Sequence, residues 1–482
     1  MTRDKFTRRQ MLKLLGVGAI GAWAAACAPQ QEPTQAPQAT TAPAGASATK
    51  APVATAVPAP RQPVTLRLMT WGSTTQSEAR DAGLRAAYPE LEATKVEFLV
   101  GGAGDADVAK ALRLALAAGQ NIPDMLQLNR TQIPEFAAAG EITDLGDVYA
   151  KYKNDLYAGA LELAKYQGKY ICFPNQLKSK IFYYRADKFD EAGIKVADIK
   201  TTSDWINAGK AFNAKFAKSY IMNLGPQPAQ YWLGEMLSAY TDVRFADPGG
   251  NYRVTKDKAF ADVLGFLKDV YDAKIAFPVD DFTTDWQKAF VDEAVCGSLI
   301  SMWMKGTLPK FVPDQRGKWK ATLWPALSPM ADQRYGSDAG GSVYIVPKRC
   351  PHPQEAMDYL SKEFLEKKGT LACYQKTGMI PLVKSAKDDL MNIVRSAKKP
   401  DSMSDTDWAI QPAVFFGPEY IEFEMSSYEY LRVFDYDPSA TKEIGILRDW
   451  LIKLLDNKAT LAQALSGAEA DMKSQIGDPY KV

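Results

Sequence analysis

The sequence has little of the chemistry that most metalloenzymes use. Among its 482 residues there is one histidine, His352, and there are five cysteines, none of which lies close to another. His352 stands between two prolines, where a loop is expected. Zinc and copper sites draw on several such side chains at short spacing. The sequence therefore predicts no metal site and no cofactor.

Catalytic signatures are absent as well. There is no G-x-S-x-G elbow and no G-x-x-x-x-G-K-[ST] phosphate loop. The acids of GGAGDAD at 101–107 lack the spacing and closing Glu of a calcium loop, so a turn before a helix is the better interpretation. No catalytic residue is expected. Charge of one sign is also lacking, since 58 Lys and Arg balance 57 Asp and Glu, and this predicts no nucleic-acid partner.

A long hydrophobic run is missing too. The uncharged stretch Leu14–Ala26 has thirteen residues, whereas a helix needs about 20 to cross a bilayer. Basic residues before it and small residues at its end are typical of a secretory signal. The segment TRRQMLK at 7–13 resembles a twin-arginine export signal. Residues 1–27 are therefore predicted to be a signal peptide.

Cys27 follows three alanines in a pattern that resembles a bacterial lipoprotein cleavage box, in which the cysteine receives lipid. We predict lipidation of Cys27; the alternative is that it merely ends the signal. Residues 28–63 are rich in Pro, Ala, Thr and Gln and cannot bury enough apolar surface to fold, which predicts a disordered linker. Pro-rich chain of this length could reach on the order of 100 Å, which suits a tether between a membrane and a folded body.

The remaining cysteines are Cys172, Cys296, Cys350 and Cys373. Export would allow them to pair, but their spacing is not that of a disulfide framework. Both arrangements are open, and buried free thiols are favoured.

The part of the chain after the linker has about 420 residues, too many for one core, and predicts two lobes. VTLRLMT at 64–70 alternates apolar and polar residues as a strand does, and TKVEFLV at 94–100 predicts the next strand. DVAKALRLALAAGQ at 107–120 predicts an amphipathic helix, and IPDMLQLN predicts a third strand that ends at Asn129. Such alternation indicates an α/β fold with a mostly parallel sheet, whose ligands gather at the carboxyl ends of the strands.

Five stretches in a fixed order resemble one family. They are AAGQNIPDMLQLNRTQIPEFAAAGEITDLGD, YQGKYICFPNQLKSKIFYYRADKFDEAGI, TTSDWINAGKAF, AFVDEAVCGSLISMWMKG and AGGSVYIVPKRCPHPQEAMDYLSKEFL. Their order and spacing are similar to those of the family 1 extracellular solute-binding proteins of ABC importers, which include maltose-type sugar receptors. The resemblance extends from Val64 to about Phe364.

The resemblance implies a type II periplasmic binding protein fold, in which strands cross between two α/β lobes and a ligand lies in the cleft. We predict crossings near Cys172–Leu177, Cys296–Met302 and Gly341–Val346, because each is an apolar, strand-like run within a matching stretch. The first lobe is then predicted to comprise 64–174 plus 301–342. The second lobe comprises 175–300 plus 343–482.

Two residues depart from the family pattern. Glu293 stands where the family usually has a small glycine, and Arg185 follows Tyr184 where a tyrosine-asparagine pair is usual. Both lie in predicted turns or strands, so neither departure changes the predicted fold.

A sugar receptor needs aromatic platforms and hydrogen-bonding groups in a preformed cleft. Trp71, Trp232 and Trp303 are the predicted platforms, and Trp303 lies where the family often has a sugar-stacking tryptophan. A core aromatic is the alternative for each. Glycines next to a ligand allow close backbone approach, although a tight turn would need them equally. The polar candidates are Asn129, Gln176, Lys178, Tyr231, Gly340, Gly341 and Ser342.

These features predict a non-catalytic, monomeric lipoprotein on the outer face of the cytoplasmic membrane. It would bind a sugar or oligosaccharide and deliver it to the transmembrane permease subunits of an ABC importer. One alternative keeps the fold but changes the solute to glycerol phosphate, a peptide or a polyamine. A second is an exported glycoside hydrolase that uses two of Asp285, Asp292 and Glu293 as a carboxylate pair.

Overall fold

The computed structural model describes residues 63–481, except 229–230, 241–242, 324–335, 339–340, 402 and 435, and except the side chains of 231 and 336–338. The predicted signal peptide, Cys27 and the linker up to residue 62 therefore lie outside the described residues. Gly340 and the side chain of Tyr231 do so as well.

Strands and helices alternate along the chain, as predicted. The strands are β1 (Val64–Thr70), β2 (Thr94–Val100), β3 (Met125–Asn129), β4 (Lys165–Tyr166), β5 (Lys169–Tyr170), β6 (Phe173–Pro174), β7 (Ser179–Arg185), β8 (Met222–Asn223), β9 (Ala276–Phe277), β10 (Gly297–Ser301), β11 (Trp319–Leu323), β12 (Gly336–Asp338), β13 (Ser342–Ile345) and β14 (Leu431–Arg432).

The helices cover the sheets. They are α1 (Thr75–Ala87), α2 (Asp105–Ala118), α3 (Ile133–Ala138), α4 (Gly146–Tyr152), α5 (Ala158–Leu163), α6 (Ala186–Glu191), α7 (Thr202–Lys215), α8 (Tyr231–Leu237), α9 (Lys258–Asp272), α10 (Thr284–Val291), α11 (Leu308–Phe311), α12 (Pro353–Phe364), α13 (Lys367–Thr377), α14 (Lys387–Ser396), α15 (Asp405–Ala409), α16 (Pro412–Phe415), α17 (Pro418–Ser427), α18 (Ala440–Leu455) and α19 (Leu461–Gln475). None of the helices in the described residues is both long and apolar enough to span a bilayer.

The first sheet has the strand order β2-β1-β3-β13-β6. β1 is parallel to β2 and β3, whereas β13 is antiparallel to β3 and β6. The alternation of β1 is explained by this packing, because Leu66 and Leu68 point into the core and are almost fully buried. The three predicted strands are therefore parallel as expected, but the sheet is mixed, because β13 runs antiparallel to both of its neighbours.

The second sheet is built around β7, which pairs antiparallel with β10, β11 and β12. Both faces of β7 are covered. Ile181 and Tyr183 belong to the hydrophobic core that extends under the first sheet, whereas Phe182 belongs to a second core. A strand that is buried on both faces reads as a continuous apolar run, which explains the sequence SKIFYYR.

The chain passes between the sheets where crossings were predicted. β6 lies in the first sheet, and β7, which follows after four intervening residues, lies in the second. After β10 in the second sheet, Met302 packs in the first core. β12 lies in the second sheet and β13 in the first. A further passage, from the first core to the second, was not predicted and lies at β14, because Leu431 belongs to the first core and Phe434 to the second.

The predicted lobe boundaries stay a prediction, and strand pairing favours moving two of them. β11 and β12 pair with β7, which places 319–323 and 336–338 with the second sheet. β13 pairs with β3, and Phe364 of α12 stacks on Tyr344 of β13. We therefore propose that 343–377 belongs with the first lobe.

Arg185 and Glu293, the two residues that depart from the family pattern, form an ion pair with each other. Arg185 Nη1 lies 2.7 Å from Glu293 Oε1, and Lys188 Nζ lies 3.0 Å from Glu293 Oε2. The hydrogen bond from Arg185 is the main cause that lowers the pKa of Glu293. Glu293 has φ +57°, in the left-handed region that favours glycine. This backbone conformation accounts for the glycine that the family has at this position.

The four described cysteines are buried and unpaired. Burial raises the pKa of the Cys172, Cys296 and Cys350 thiols to about 12. They are therefore protonated near neutral pH, as expected for the favoured interpretation of buried free thiols.

Candidate ligand-binding site

Several predicted site residues lie along one edge of the first sheet, which we call the first rim. β1, β2, β3 and β6 end at this edge, and the antiparallel β13 begins there. The residues that follow or end these strands come together for this reason. They include Trp71 after β1, Asn129 at the end of β3, Asn175 and Gln176 after β6, and Gly341 and Ser342 at the start of β13.

Polar groups of the first rim hold the backbone together. Asn129 Oδ1 accepts hydrogen bonds from the backbone N–H and the hydroxyl of Thr131, both at 3.1 Å, and so caps the turn after β3. Lys178 Nζ donates to Ser342 Oγ at 3.0 Å. This bond ties the segment between β6 and β7 to the start of β13, so two crossing segments are linked by residues that were predicted to contact ligand.

Gly341 is explained by packing. A Cβ atom at this position would lie 2.6 Å from Leu163 Cδ2. Glycine therefore allows close packing against Leu163 of α5, which is the structural alternative to close ligand approach. Trp71 and Gln176 are half-buried.

The second rim is the matching edge of the second sheet. β8 is parallel to β9, and a parallel bridge between Tyr220 and Val295 places β8 beside β10. The carboxyl ends of these strands therefore meet the start of the antiparallel β7. Asn223, Asp281, Ser301 and Lys180 lie at this edge.

A buried polar network fills the second rim. Trp232 Nε1 donates to Asp281 Oδ2 at 2.6 Å, and Asn223 Nδ2 donates to Asp281 Oδ1 at 2.8 Å. Lys180 Nζ lies 3.7 Å from the centre of the Trp232 ring and 2.8 Å from Glu235 Oε2. Trp232 is only 2% exposed. Its ring is therefore a core element in this structure, which is the alternative that the sequence left open.

An exposed aromatic pair lies next to this network. Trp303, half-buried just after β10, stacks on Phe282 with 5.5 Å between ring centres and 25° between planes. Phe282 is 63% exposed and has φ +65°. An apolar ring held open to solvent in a strained backbone conformation is unusual. Phe282 was missed, because a phenylalanine after two aspartates in a loop has no periodic signal.

The turn Met302–Gly306, which carries Trp303, is fixed from two sides. Tyr183 Oη donates to Met302 O at 3.2 Å. Lys305 Nζ lies 2.5 Å from Glu424 Oε1 in a pair that is almost fully buried, and Tyr428 Oη donates to the same oxygen at 2.9 Å. The Trp303 ring is therefore presented by a rigid support.

The acids proposed for a hydrolase are engaged elsewhere. Asp292 pairs with Lys288 on the surface, and Glu293 pairs with the buried Arg185 and with Lys188. Asp285 is exposed in the first turn of α10. Within the described ranges, no group of three or more His, Cys, Asp or Glu side chains is arranged to hold a metal ion.

Known proteins match this chain in sequence and fold. The family model described as bacterial extracellular solute-binding protein matches residues 86–401. Arabinooligosaccharide-binding proteins of Bacillus subtilis and Halalkalibacterium halodurans are 24% and 23% identical over 276 and 275 residues, each covering 56% of this chain. Those alignments span 62% and 60% of the relatives' own lengths, about three fifths.

Solved structures share the two-lobe fold. The galacto-N-biose-/lacto-N-biose I-binding protein of an ABC transporter from Bifidobacterium longum superposes with a TM-score of 0.66 at 19% identity, covering 86% of this chain and 97% of that one. The sugar-binding protein MalE from Xanthomonas citri gives 0.66 at 17% identity, with the same coverage. The predicted periplasmic binding protein fold is confirmed. With a family model that matches well over half of its length, the chain belongs to the bacterial extracellular solute-binding proteins.

Proposed function

We propose that this chain is the substrate-binding protein of an ABC importer and captures a sugar or oligosaccharide between the two rims. The observation that carries this proposal is the exposed Phe282–Trp303 pair beside a buried polar network. Sugars have apolar C–H faces and polar edges, so an aromatic surface next to fixed hydrogen-bonding groups suits them. The permease is the partner to which the bound sugar is delivered, and the chain acts as a monomer without catalysis.

The printed names of the relatives support this proposal. The curated relatives are named for arabinooligosaccharide binding, and the two superposed structures are described as sugar-binding proteins. Their names describe binding and not catalysis.

Charge pairing at the second rim also favours a neutral ligand. Lys180 is paired with Glu235, and both Asp281 oxygens accept hydrogen bonds from neutral donors. A polyamine would need carboxylates that are open to it, and a phosphate would need clustered arginines.

One observation favours a second candidate, an anionic solute such as glycerol phosphate. Arg130 follows β3 at the first rim and is 4% exposed. Its Nη2 donates to Lys165 O, whereas Nε and Nη1 have no hydrogen-bond partner in the part of the chain that the structure describes. A buried guanidinium of this kind is costly unless an acceptor reaches it.

A thermal-shift screen separates these candidates. The purified chain is melted with arabinotriose, β-1,6-galactobiose, maltotriose, glycerol 3-phosphate or spermidine, because a ligand that binds only the folded state raises the melting temperature. We expect a sugar to do so. A shift with glycerol 3-phosphate alone would favour the second candidate, and release of shorter sugars during incubation would indicate a hydrolase.

The family is extracellular, so the chain is exported, and we propose a twin-arginine signal and a lipid anchor at Cys27. The linker 28–63 then holds the folded part on the outer face of the cytoplasmic membrane. Cys27→Ser should move the protein from the membrane fraction to the soluble fraction. Unchanged membrane retention would contradict the anchor, since stable attachment needs the several acyl chains of a lipoprotein.

A further inference from the structure

We infer that two asparagine side chains, Asn175 at the first rim and Asn223 at the second, bind ligand hydroxyl groups through their Oδ1 atoms. This inference rests on the proposed function and identifies side-chain groups that would form hydrogen bonds with the hydroxyl groups of the sugar. Neither residue had been predicted as a site residue from the sequence.

The orientation of the Asn223 amide follows from its neighbours. Asn223 ends β8 and is 1% exposed. Its side chain faces Val279 O at 3.2 Å and Asp281 Oδ1 at 2.8 Å, which are both acceptors. The side facing them must therefore be the NH₂ group, which donates to both. The amide oxygen Oδ1 therefore faces away from these two acceptors, and it is buried without a partner in the described residues.

Asn175 occupies the corresponding place at the first rim. It follows β6 directly, and its backbone N–H donates to Ser342 O at 3.2 Å, which fixes it against β13. The residue is 8% exposed, and within the described ranges its Oδ1 also has no hydrogen-bond partner. Each rim thus holds one buried amide oxygen without a partner in the described residues.

A buried acceptor without a donor is rare in native proteins, where such atoms are satisfied by protein, water or ligand. Two further oxygens in the same state, Ser179 Oγ at the start of β7 and Ser301 Oγ at the end of β10, belong to the second rim. A sugar hydroxyl is both donor and acceptor, so it can donate to an amide oxygen and accept from another group. These four oxygens lie at the edges where the chain crosses between the sheets, and together they point to a polyhydroxyl ligand.

Asp281 is a positioning residue for Asn223. Its two oxygens are held by different donors, Asn223 Nδ2 and Trp232 Nε1. A carboxylate can accept both bonds, and this fixes the amide so that its oxygen is turned away from the loop 279–281. The amide oxygen is therefore preorganised before the ligand arrives, which lowers the entropy cost of binding.

The test compares three asparagine-to-alanine variants by calorimetry with arabinotriose, β-1,6-galactobiose and maltotriose. Asn223→Ala and Asn175→Ala should each weaken binding of the sugar that the wild type prefers by about tenfold, as expected for one lost hydrogen bond in a buried site. Asn213→Ala is the matched control. Asn213 Nδ2 also donates to a backbone carbonyl, of Lys274, and its Oδ1 also has no partner in the described residues, but it lies on α7 away from both rims. The Asn213→Ala protein should bind the preferred sugar with unchanged affinity.

Monodeoxy derivatives of the preferred sugar provide the second arm. One deoxy derivative should bind the wild type about tenfold more weakly than the parent sugar does. Its affinity for Asn223→Ala should be no lower than its affinity for the wild type, because the hydroxyl it lacks is the donor to Oδ1. If Asn223→Ala does not fold, Asn175→Ala and the deoxy sugars still give this result.

The outcomes separate the two proposals. If the wild type binds a sugar and both rim variants bind it equally well, the inference is wrong and the proposed function stands. If every removed hydroxyl and the asparagine substitution lower the affinity additively, the two groups do not interact. The amide oxygens are then satisfied by water, and the inference is wrong. If the wild type binds none of the three sugars, the proposed function and the inference fall together.

Discussion

At the first rim most polar side chains are bound to nearby backbone or tie crossing segments together, whereas at the second rim they are bound to one another. Asn129 caps a turn and Lys178 holds Ser342. In contrast, Lys180, Trp232 and Asp281 belong to one buried network. The first rim is therefore organised to fix the path of the chain. The second is organised to fix the direction of side chains, and such preorganisation is what selective binding requires.

The largest effect is expected from breaking the network of the second rim. Glu235→Ala removes the carboxylate from the buried Lys180 ammonium, and breaking a buried pair costs about 3–5 kcal/mol of unfolding free energy. Urea denaturation measures this loss. Lys288→Ala, which breaks the exposed pair with Asp292, is the control and should cost less than about 1 kcal/mol. Similar losses for both variants would contradict the structural importance of the network.

The aromatic pair should give the next largest effect, on binding. Trp303→Ala should cost on the order of 1 to 3 kcal/mol of binding free energy, as large aromatic anchors commonly do. Phe282→Ala should also weaken binding and leave stability almost unchanged, because the Phe282 ring is mostly exposed. Calorimetry with the sugar found in the screen measures both, and circular dichroism melts exclude unfolding.

Trp71→Ala sharpens the comparison of the rims. If the second rim carries the platform, Trp71→Ala should weaken binding less than Trp303→Ala. Equal losses would mean that the two rims share the stacking contact, and unaltered affinity of Trp303→Ala would remove Trp303 from the site. A Trp303→Ala loss explained wholly by unfolding, at about 3–5 kcal/mol, would identify it as a core residue.

The smallest effect is expected at the opposite end of the second sheet. Glu293→Gly and Glu293→Ala both remove the ion pair with Arg185, but only glycine adopts the φ of +57° without strain. Glu293→Gly should therefore be about 1 kcal/mol more stable than Glu293→Ala in urea denaturation, and neither should change sugar affinity. Equal stability would contradict the backbone explanation of the family's glycine.

The sequence predicted the first rim better than the second for a physical reason. β1 and β3 are regular strands whose apolar alternation is visible, so the residues at their ends, Trp71 and Asn129, could be located. β8 and β9 have two residues each. So short a strand has no period, and Asn223, Asp281 and Phe282 were missed.

Other misses come from interactions between distant segments. Trp232 was predicted as a platform with a core aromatic as the alternative, and in this structure a contact with Asp281, 49 positions away, buries it. The ion pair between Arg185 and Glu293 joins two departures that each looked unrelated to the other in sequence. Pairing of β11 and β12 with β7 likewise depends on tertiary structure, because their sequences give no partner.

The burial of β7 on both faces has a consequence for how the molecule unfolds. Ile181 and Tyr183 are part of a core that reaches the first sheet, and Phe182 is part of the core on the other side. β7 packs against both cores. If either core loses its packing, one face of β7 is exposed, and the other core loses support. We therefore expect heat to melt both cores in a single cooperative calorimetric transition, in which even and odd positions of one short strand report on opposite halves of the protein.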